Sequence, residues 1–433
     1  MEYIPNILFS LILIASVGFF VKNSMRLKRN INLGKAIDRT DNKKERWGAM
    51  IRIALGQSKM VKRPVAGILH IVVYLGFIII NIEVLEIILD GVLGTHRIFS
   101  PMGSAYYFLI GAFEILALLV FVSVIVFWLR RNVIRLKRFW SKEMTAWPKN
   151  DGNIILYFEM VLMSLFLVMN ATDSSFQEAN MGNPISQWLY PLFSGNSAIV
   201  LHTMERTAWW FHICGILAFL NYLYYSKHLH ILLAFPNTFY ANLEKPGKFS
   251  NNPVVTKEVQ TMMDPNADPY AAPAESEGEP EKFGASDVQD LNWVQLLNAY
   301  SCTECGRCTS VCPANQTGKE LSPRAIMMKT RDRLEEVGKN IDTNKGTFKE
   351  DGKQLLNDYI KPEELWACTS CNACVEECPI SIDPLSIIMD MRQYLVMEES
   401  AAPQELNNMM SNIENNGAPW PYNQMDRLNW KEE

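Results

Sequence analysis

The stretch CTECGRCTSVCP at residues 302–313 returns in altered form as CTSCNACVEECP at residues 368–379. In each copy three cysteines stand three positions apart, and a fourth follows four positions later, directly before a proline. This spacing is typical of chains that bind [4Fe-4S] clusters, and the fourth cysteine of each run reaches the cluster of the other run. Two runs on one chain therefore predict two [4Fe-4S] clusters.

The repeated pattern assigns four cysteines to each cluster. The predicted ligands are Cys302, Cys305, Cys308 and Cys378 for the first cluster, and Cys368, Cys371, Cys374 and Cys312 for the second. Structural zinc is the alternative, because paired C-x2-C elements also bind zinc tetrahedrally. Zinc would leave no role for the third and fourth cysteines with their proline, so iron–sulfur clusters are predicted. The sequence leaves open whether Arg307, between two ligands, lies near the first cluster or in solvent.

The rest of the chain divides into an apolar part and a soluble part. Residues 1–240 contain runs of roughly 20 apolar residues, the length that crosses a bilayer, whereas residues 241–433 resemble a soluble acidic module. All six histidines lie in the first part, and all nine cysteines except Cys214 lie in the second. We expect Cys214, alone in an apolar segment, to be a buried small side chain. The net charge of −5 gives no indication of a face that binds nucleic acid.

The apolar segments predict five transmembrane helices, at about residues 4–21, 65–89, 105–129, 153–170 and 206–234. The first segment is predicted to be an uncleaved helix, because the basic residues follow the apolar stretch instead of preceding it. Together these helices define a transmembrane domain over residues 1–240.

Basic residues in the connecting segments predict the orientation. Lys and Arg number thirteen in residues 22–63 and seven in 130–149, against one in 90–104 and none in 171–205. The positive-inside rule then predicts a multi-pass inner-membrane protein with its N-terminus outside and its C-terminal part in the cytoplasm. Free cysteines at this spacing also belong in the reducing cytoplasm, which is an independent argument for the same orientation.

The remaining segments complete the predicted organisation. Residues 241–287 are predicted to be a flexible linker, 288–400 a helical cluster-binding domain, and 401–433 a polar tail. Helical spacing indicates helices at Val288–Ala299, Pro323–Glu336 and Lys353–Trp366. The stretch Trp47–Leu55 is predicted to be helical, either at the lipid headgroups or in a solvated loop.

Two histidines lie at matched depth near the predicted cytoplasmic ends of two helices. His70 follows Pro64 by six residues, and His230 precedes Pro236 by six. Two imidazoles on neighbouring helices can supply both axial positions of a b-type haem. The sequence therefore predicts that His70 and His230 bind one haem b.

The other histidines are weaker candidates for cofactor binding. On an unbroken helix His212 would lie on the same face as His230 but ~27 Å away. His212 therefore belongs either to a second haem site or to no haem site. His228 would face away from His230, towards the interface, although it stays a candidate. His96 and His202 fall in or near outer loops.

Four carboxylates fall within the predicted spans, namely Glu83, Glu86, Glu114 and Glu159. Such groups can handle the protons of a quinol, and Glu83 and Glu86, one helical turn apart, are the best candidates. Helix-end charges that face the interface are an equally good interpretation.

The motifs resemble two known families. Residues 67–70 (GILH), 209–212 (WWFH) and 226–230 (SKHLH) resemble the cytochrome b subunits of the respiratory nitrate reductase gamma and heterodisulfide reductase E type. Residues 291–308 and 366–379 resemble the C-type iron–sulfur proteins of heterodisulfide reductase and related helical dicluster ferredoxins. The resemblance implies an all-α protein, in which a five-helix transmembrane cytochrome b bundle precedes an α-helical dicluster ferredoxin domain.

The resemblance also implies a function. Ile80 stands where the nitrate reductase-like pattern has a second histidine, which leaves His70 and His230 as the expected haem pair. The family exchanges electrons with a menaquinone-type pool and works with a cysteine-rich or flavin-containing catalytic partner on another chain. The sequence thus predicts a membrane electron-transfer subunit. The alternatives are a redox sensor, or a haem-free membrane-anchored ferredoxin without quinone turnover.

Overall fold

The structure is a computed structural model that describes residues 3–180, 182–245, 247–248, 251–265 and 282–432. Within these ranges it contains helices and two isolated bridges, Lys35–Asn292 and Leu356–Ile360, but no β-strand. The predicted all-α fold is confirmed.

Five long helices form a bundle over the first half of the chain. The helices of this half are α1 (Ile4–Ile31), α2 (Lys43–Met50), α3 (Pro64–Leu93), α4 (Ser104–Asn132), α5 (Ala146–Thr172), α6 (Ser174–Ala179), α7 (Ser186–Leu189), α8 (Ala198–Tyr222) and α9 (His230–Phe239). The long helices α1, α3, α4, α5 and α8 each pack against the next, and α8 returns to α1, so the bundle closes into a ring. A wider, π-type turn at Ile51–Leu55 continues α2, so the stretch Trp47–Leu55 is helical as predicted.

Four of these helices, α1, α3, α4 and α5, are long enough and apolar enough to cross a membrane. The fifth, α8, has the length but is less apolar, because Glu205, Arg206 and His212 lie in its sequence. The number of five membrane spans therefore stays a prediction, although the bundle itself has five long helices.

The helix predicted over residues 206–234 is interrupted, which corrects the prediction of one continuous span. The helix α8 ends at Tyr222, two short 3-10 turns follow, and Ser226 is extended between them (φ −112°, ψ 146°). Asp151, buried on α5, holds this break. Its carboxylate accepts hydrogen bonds from the Tyr222 hydroxyl (2.6 Å), the Ser226 hydroxyl (2.7 Å) and the backbone N–H of Lys227 (3.1 Å). These bonds replace helical ones, since a buried carboxylate requires donors.

The second half of the chain folds into the cysteine domain (residues 282–397). The helices of this half are α10 (Pro253–Met263), α11 (Trp293–Ser301), α12 (Arg307–Val311), α13 (Pro313–Gln316), α14 (Pro323–Thr343), α15 (Pro362–Trp366), α16 (Ala373–Glu377), α17 (Pro384–Met397) and α18 (Gln404–Asn416). The helix α10 lies in the segment predicted as a linker, and much of the rest of that segment lies outside the described residues. The helix α18 lies in the predicted tail and buries no side chain.

The helix predicted over Lys353–Trp366 is wrong in its first part. Asn357 takes a left-handed conformation (φ 73°), and only Pro362–Trp366 is α-helical. Tertiary contacts are the reason. The N–H of Leu355 donates to the Asp287 carboxylate (3.1 Å), and the N–H of Leu356 donates to the Ser286 carbonyl (2.9 Å). Local helical spacing could not reveal these partners.

The cysteine domain packs directly on one end of the bundle. Leu27, Phe219 and Leu229 of the first half share one hydrophobic core with residues of the cysteine domain such as Leu296 and Leu334. The polar contacts include a hydrogen bond of 2.9 Å from the Asn30 amide to the Tyr300 hydroxyl. The end of the bundle that meets the cysteine domain is therefore the end where α3 begins and α8 ends.

Candidate iron–sulfur and histidine sites

The two cysteine runs adopt the same backbone conformation. In the first run Glu304 (φ 54°) and Gly306 (φ 69°) are left-handed, and in the second run Ser370 (φ 57°) and Asn372 (φ 59°) occupy the same positions with the same sign. Each run then enters a short helix, α12 or α16, and its last cysteine ends that helix before the proline. Alternating right- and left-handed residues turn successive N–H groups to one side, which forms the concavity that receives clusters.

Gly306 is a position in the first run where a side chain would be strained, because its φ of 69° is left-handed and its surroundings are close. A Cβ atom there would lie 2.6 Å from Nη1 of Arg324 and 3.3 Å from the Arg138 carbonyl oxygen. The close approach explains glycine at this position, whereas Asn372, its counterpart, tolerates the left-handed conformation in a more open setting.

The cysteines of the first predicted site surround a small cavity. Its lining includes Cys302, Cys305, Cys308 and Cys378, and Cys374 also reaches it. The structure therefore brings together all four predicted ligands of the first cluster, including the one from the second run. The cavity and the sulfurs around it fit a cluster in this position.

The cysteines of the second predicted site are also neighbours, but they are less enclosed. Cys312 and Cys371 both act electrostatically on the Cys368 thiol, and Cys368 and Cys312 act on Cys374. Cys371 is exposed, whereas Cys312 and Cys374 are buried. The backbone N–H of Ser370 donates to the Cys368 sulfur at 3.4 Å, and such N–H···S bonds are typical around clusters.

Among the described residues no three His, Cys, Asp or Glu side chains are grouped to hold one metal ion. Burial raises the pKa of the Cys302 thiol to about 12 and that of Cys378 to about 11. Without iron these thiols are neutral, so cluster binding must release their protons.

The first run is held against the turn that precedes α3. Arg307 is 3% exposed, and its guanidinium donates to the carbonyls of Lys59 (3.2 Å) and Met60 (3.1 Å). The alternative of a solvated arginine is therefore wrong. Because the chain enters α3 directly after this turn and reaches His70, Arg307 joins the first cysteine run to the helix that carries His70.

A second set of charges joins the same run to the segment before α9. The Lys227 ammonium donates to Glu304 at 2.5 Å, and Arg331 donates to the other oxygen of Glu304 at 2.8 Å. Glu304 is 4% exposed. Burial opposes its ionised form, but Lys227 and Arg331 outweigh burial and hold the pKa of Glu304 below its usual value. This buried ion cluster binds the loop between Cys302 and Cys305 to the bundle.

His70 and His230 face each other at the end of the bundle that meets the cysteine domain. Their ring centres are 6.4 Å apart. An iron between two imidazoles, with metal–nitrogen distances of about 2.0 Å, would separate the ring centres by about 6 Å. The Nδ1 atom of His230 lies 3.1 Å from the Lys227 carbonyl, which orients the ring and leaves Nε2 free as a ligand. These two side chains therefore fit the axial ligands of a haem.

His228 lies beside this pair, which corrects the prediction that it faces away. Its ring centre is 5.3 Å from that of His230 and 5.3 Å from that of Phe219. The 3-10 turn over Lys227–Leu229 changes the direction of the side chain relative to a regular helix. The break after α8 likewise makes the prediction that His212 and His230 share one helical face wrong.

The other histidines and carboxylates lie elsewhere. His212 is buried within the bundle, His96 is half-exposed beside Asp173 (3.5 Å), and His202 is exposed. Three predicted proton-handling carboxylates lie towards the opposite end. The Glu86 carboxylate accepts from Phe99 N–H (2.9 Å) and the Tyr106 hydroxyl (3.1 Å).

Glu114 likewise has a structural environment. Its carboxylate accepts from the Asn170 amide (3.0 Å) and from the N–H groups of Ile185 (2.9 Å) and Ser186 (3.0 Å). Glu83 is buried, and its Oε2 has no hydrogen-bond partner among the described residues. Glu86 and Glu114 thus hold loops, which argues against a free role in proton transfer.

Comparison with known proteins adds to this geometry. The family profile described as "4Fe-4S dicluster domain" matches residues 301–382. The "Probable iron-sulfur-binding oxidoreductase FadF" of Bacillus subtilis (strain 168) is 29% identical over 465 aligned residues, which cover 99% of this chain and 61% of the relative. The "EtfAB:quinone oxidoreductase" of Syntrophomonas wolfei is 24% identical, over 92% of this chain and 55% of the relative. The chain therefore spans little more than half the length of these curated relatives.

A further relative matches a shorter part of the chain. The "Probable membrane-anchored ferredoxin" of Chromohalobacter salexigens is 33% identical over 163 residues, which cover 34% of this chain and 24% of the relative. No solved structure matches the chain. This protein is a membrane protein with a 4Fe-4S dicluster domain, and its homologues are iron–sulfur oxidoreductases, membrane-anchored ferredoxins and heterodisulfide reductase C subunits.

Proposed function

We propose that this protein is the membrane electron-transfer subunit of a quinone-linked oxidoreductase. In this proposal electrons pass between a menaquinone-type pool and a cytoplasmic catalytic partner on another chain. One haem b and two [4Fe-4S] clusters supply the one-electron carriers when they are bound. The names of the relatives that act on quinone or bind iron–sulfur groups support this function, but they describe only those proteins.

The observation that carries the proposal is the position of the first cysteine run. Its loop bonds through Arg307 to the turn before the His70 helix, and through Glu304 to Lys227, whose carbonyl orients His230. The first cysteine site and the histidine pair are therefore held by the same contacts. Electron transfer requires carriers at fixed short distances, and this is what a buried network of charges provides.

The roles of individual residues follow from this arrangement. His70 and His230 would hold haem b, and His228 would lie next to it without being a ligand. Cys302, Cys305, Cys308 and Cys378 would hold the first cluster, and Cys368, Cys371, Cys374 and Cys312 the second. The exposed Cys371 marks the side from which a soluble partner would exchange electrons.

We further propose the predicted orientation, with the N-terminus outside and the cysteine domain in the cytoplasm. The cysteine domain packs on the same end of the bundle as the two segments rich in Lys and Arg, residues 22–63 and 130–149. The positive-inside rule places such segments in the cytoplasm.

Optical spectroscopy and EPR on the purified full-length chain test this function. We expect a b-type haem absorption after reduction, together with two cluster signals. His70→Ala and His230→Ala should each remove the haem absorption and retain both cluster signals. Haem retained in both variants would contradict the pairing.

A haem-free membrane-anchored ferredoxin is the second candidate function. The likeness to a relative named as a membrane-anchored ferredoxin favours it. This candidate predicts cluster signals without any haem absorption in the unmodified protein, so the same spectra separate the two functions.

A further inference from the structure

A cavity of about 90 Å³ lies within the bundle, between α3, α4, α5 and α8. Most of its walls are apolar, and they include Val73, Ile80, Val120, Leu162, Ile216 and Phe219. Three polar side chains also line it, namely Asn81, Glu159 and His212. Phe77 (45% exposed) and Asn81, at its edge, are exposed on the outside of the bundle, so the cavity opens sideways towards the lipid.

Asn81 donates a hydrogen bond to the Phe77 carbonyl, but His212 and Glu159 have hydrogen-bonding atoms without a partner among the described residues. His212 is 2% exposed, and its Nδ1 has no hydrogen-bond partner. Within the described part of the chain, Glu159 makes no ion pair or hydrogen bond, unlike Glu86 and Glu114. A buried polar atom without a partner costs free energy, so the buried His212, with the half-buried Glu159 beside it, indicates a ligand that would complete its hydrogen bonding.

The cavity is small, but it is open on one side, and its lining has the chemistry that a quinone headgroup requires. Binding sites for small ligands are concave and mostly apolar, with a few polar groups that fix orientation. A quinone headgroup is a flat apolar ring with two oxygens, which accept hydrogen bonds as carbonyls and donate them as quinol hydroxyls. Imidazole can donate or accept, and a carboxylate can accept from a hydroxyl.

We propose that this cavity binds the quinone headgroup, with His212 and Glu159 as its hydrogen-bonding residues. This inference rests on the proposed function and deepens it by giving the quinone a site. It also gives His212 a role other than haem ligation, because no second histidine lines the cavity and Ile80 occupies the facing wall. A lipid chain in the cavity would leave both polar groups without partners.

The cavity is connected with the histidine pair through one aromatic side chain. Phe219 lines the cavity, and its ring centre is 5.3 Å from that of His228, which is itself 5.3 Å from His230. Along α8, His212 lies ten residues before the last residue, Tyr222, which corresponds to roughly 15 Å. Only packed side chains separate the two sites.

The test is a binding titration on the full-length chain in lipid nanodiscs. The probe is the fluorescent quinol analogue 2-heptyl-4-hydroxyquinoline N-oxide, whose emission is quenched when it binds to a protein. We expect saturable quenching in the unmodified chain. His212→Leu and Glu159→Leu should each weaken binding by about tenfold or more, since leucine has no hydrogen-bonding group.

A steric pair of variants provides the matched control. Val73→Phe fills the cavity and should abolish quenching, whereas Val122→Phe, at a 49% exposed position on α4 outside the cavity, should leave it unchanged. The haem absorption and both cluster signals should be retained in all four variants. These signals also show that each variant is folded.

Three results would overturn the proposal. One is binding that all three cavity variants leave intact, which places the quinone elsewhere but keeps the proposed function. Another is loss of haem absorption in His212→Leu, which makes His212 a haem ligand. The third is an unmodified chain that binds no probe, which removes the quinone step of the proposed function as well.

Discussion

The two cysteine runs share a backbone conformation but differ in their surroundings. The first run is enclosed, because Arg307, Glu304 and Arg324 all bond to residues outside the run, on the bundle or its connecting loops. The second run is more open, because Cys371 is exposed and its helix is linked to the turn before α3 by the ion pairs Lys62–Glu376 and Arg63–Glu377, which are at least partly exposed. The cysteine spacing sets the ligand geometry, whereas the neighbouring charges decide which site faces the bundle and which faces solvent.

Loss of a ligand should produce the largest effect. Cys378→Ser should remove the first cluster and retain the second, because Cys378 lines the cavity of the first run. Cys312→Ser should remove the second cluster and retain the first. Each variant should keep about half of the iron of the unmodified protein. Iron content and EPR measure this, and loss of the second cluster in Cys378→Ser would contradict cross-ligation between the runs.

Exposure predicts that the second cluster is lost first. We expect a water-soluble iron chelator to remove the second cluster faster than the first, because Cys371 is open to solvent while Cys302 is 8% exposed. EPR signals followed over time in one sample provide the measurement, and the first cluster is the internal control. Equal rates would mean that the enclosure of the first run is not maintained in solution.

The buried ion cluster should contribute more to docking than the exposed pair. Lys227→Met leaves Glu304 buried with one cation fewer, and removal of one partner of a buried pair costs about 3–5 kcal/mol. Lys62→Met, the matched control, breaks the exposed pair with Glu376 and should cost at most about 1 kcal/mol. Denaturant unfolding, followed by the visible absorption of the clusters, compares the two. Similar losses in both variants would argue against the buried cluster as the main link.

The smallest effect concerns a residue away from both runs. Burial raises the pKa of Asp390 to about 6, and its carboxylate accepts from the Gln295 amide at 2.6 Å. The folded state favours the protonated form of Asp390. This preference stabilises the fold fully at pH values below the pKa of the Asp390 carboxyl in the unfolded chain, and the stabilisation is lost as pH rises through 6. It amounts to about 3 kcal/mol.

Asp390→Asn keeps the acceptor oxygen but cannot ionise. The variant should therefore be more stable than the unmodified protein at pH 8, by about 3 kcal/mol, and nearly equal to it at pH 4. Unfolding curves at the two pH values measure the difference. Since Asp390 lies in neither run, chelation rates of the two clusters should not change, and a change would link this residue to the sites.

Much of this architecture could be predicted from local sequence signals. The cysteine spacing predicts ligands that the structure brings together, and the apolar runs predict the helices of the bundle. His70 and His230 could be placed together because each lies six residues from a proline, although only Pro64 marks a helix end and Pro236 lies within α9.

The remainder depends on contacts between distant residues. The break after Tyr222 requires Asp151, which lies 71 positions earlier in the chain. Likewise, Arg324 is fully buried and bonds to the Arg138 carbonyl (2.6 Å), although nothing in its local sequence distinguishes it from a surface arginine. Lys227 links the first run to the bundle because it is one of two cations that pair with Glu304. No sequence pattern predicts this arrangement.

The bond between Arg307 and the turn before α3 also limits how the protein can be assembled. Once the guanidinium reaches the carbonyls of Lys59 and Met60, the first run is covered from the side of the bundle. We expect iron and sulfide to reach this run more readily before the cysteine domain settles on the bundle. Cluster insertion would come first and docking second, so a chain that docks too early would mature with only the solvent-facing cluster.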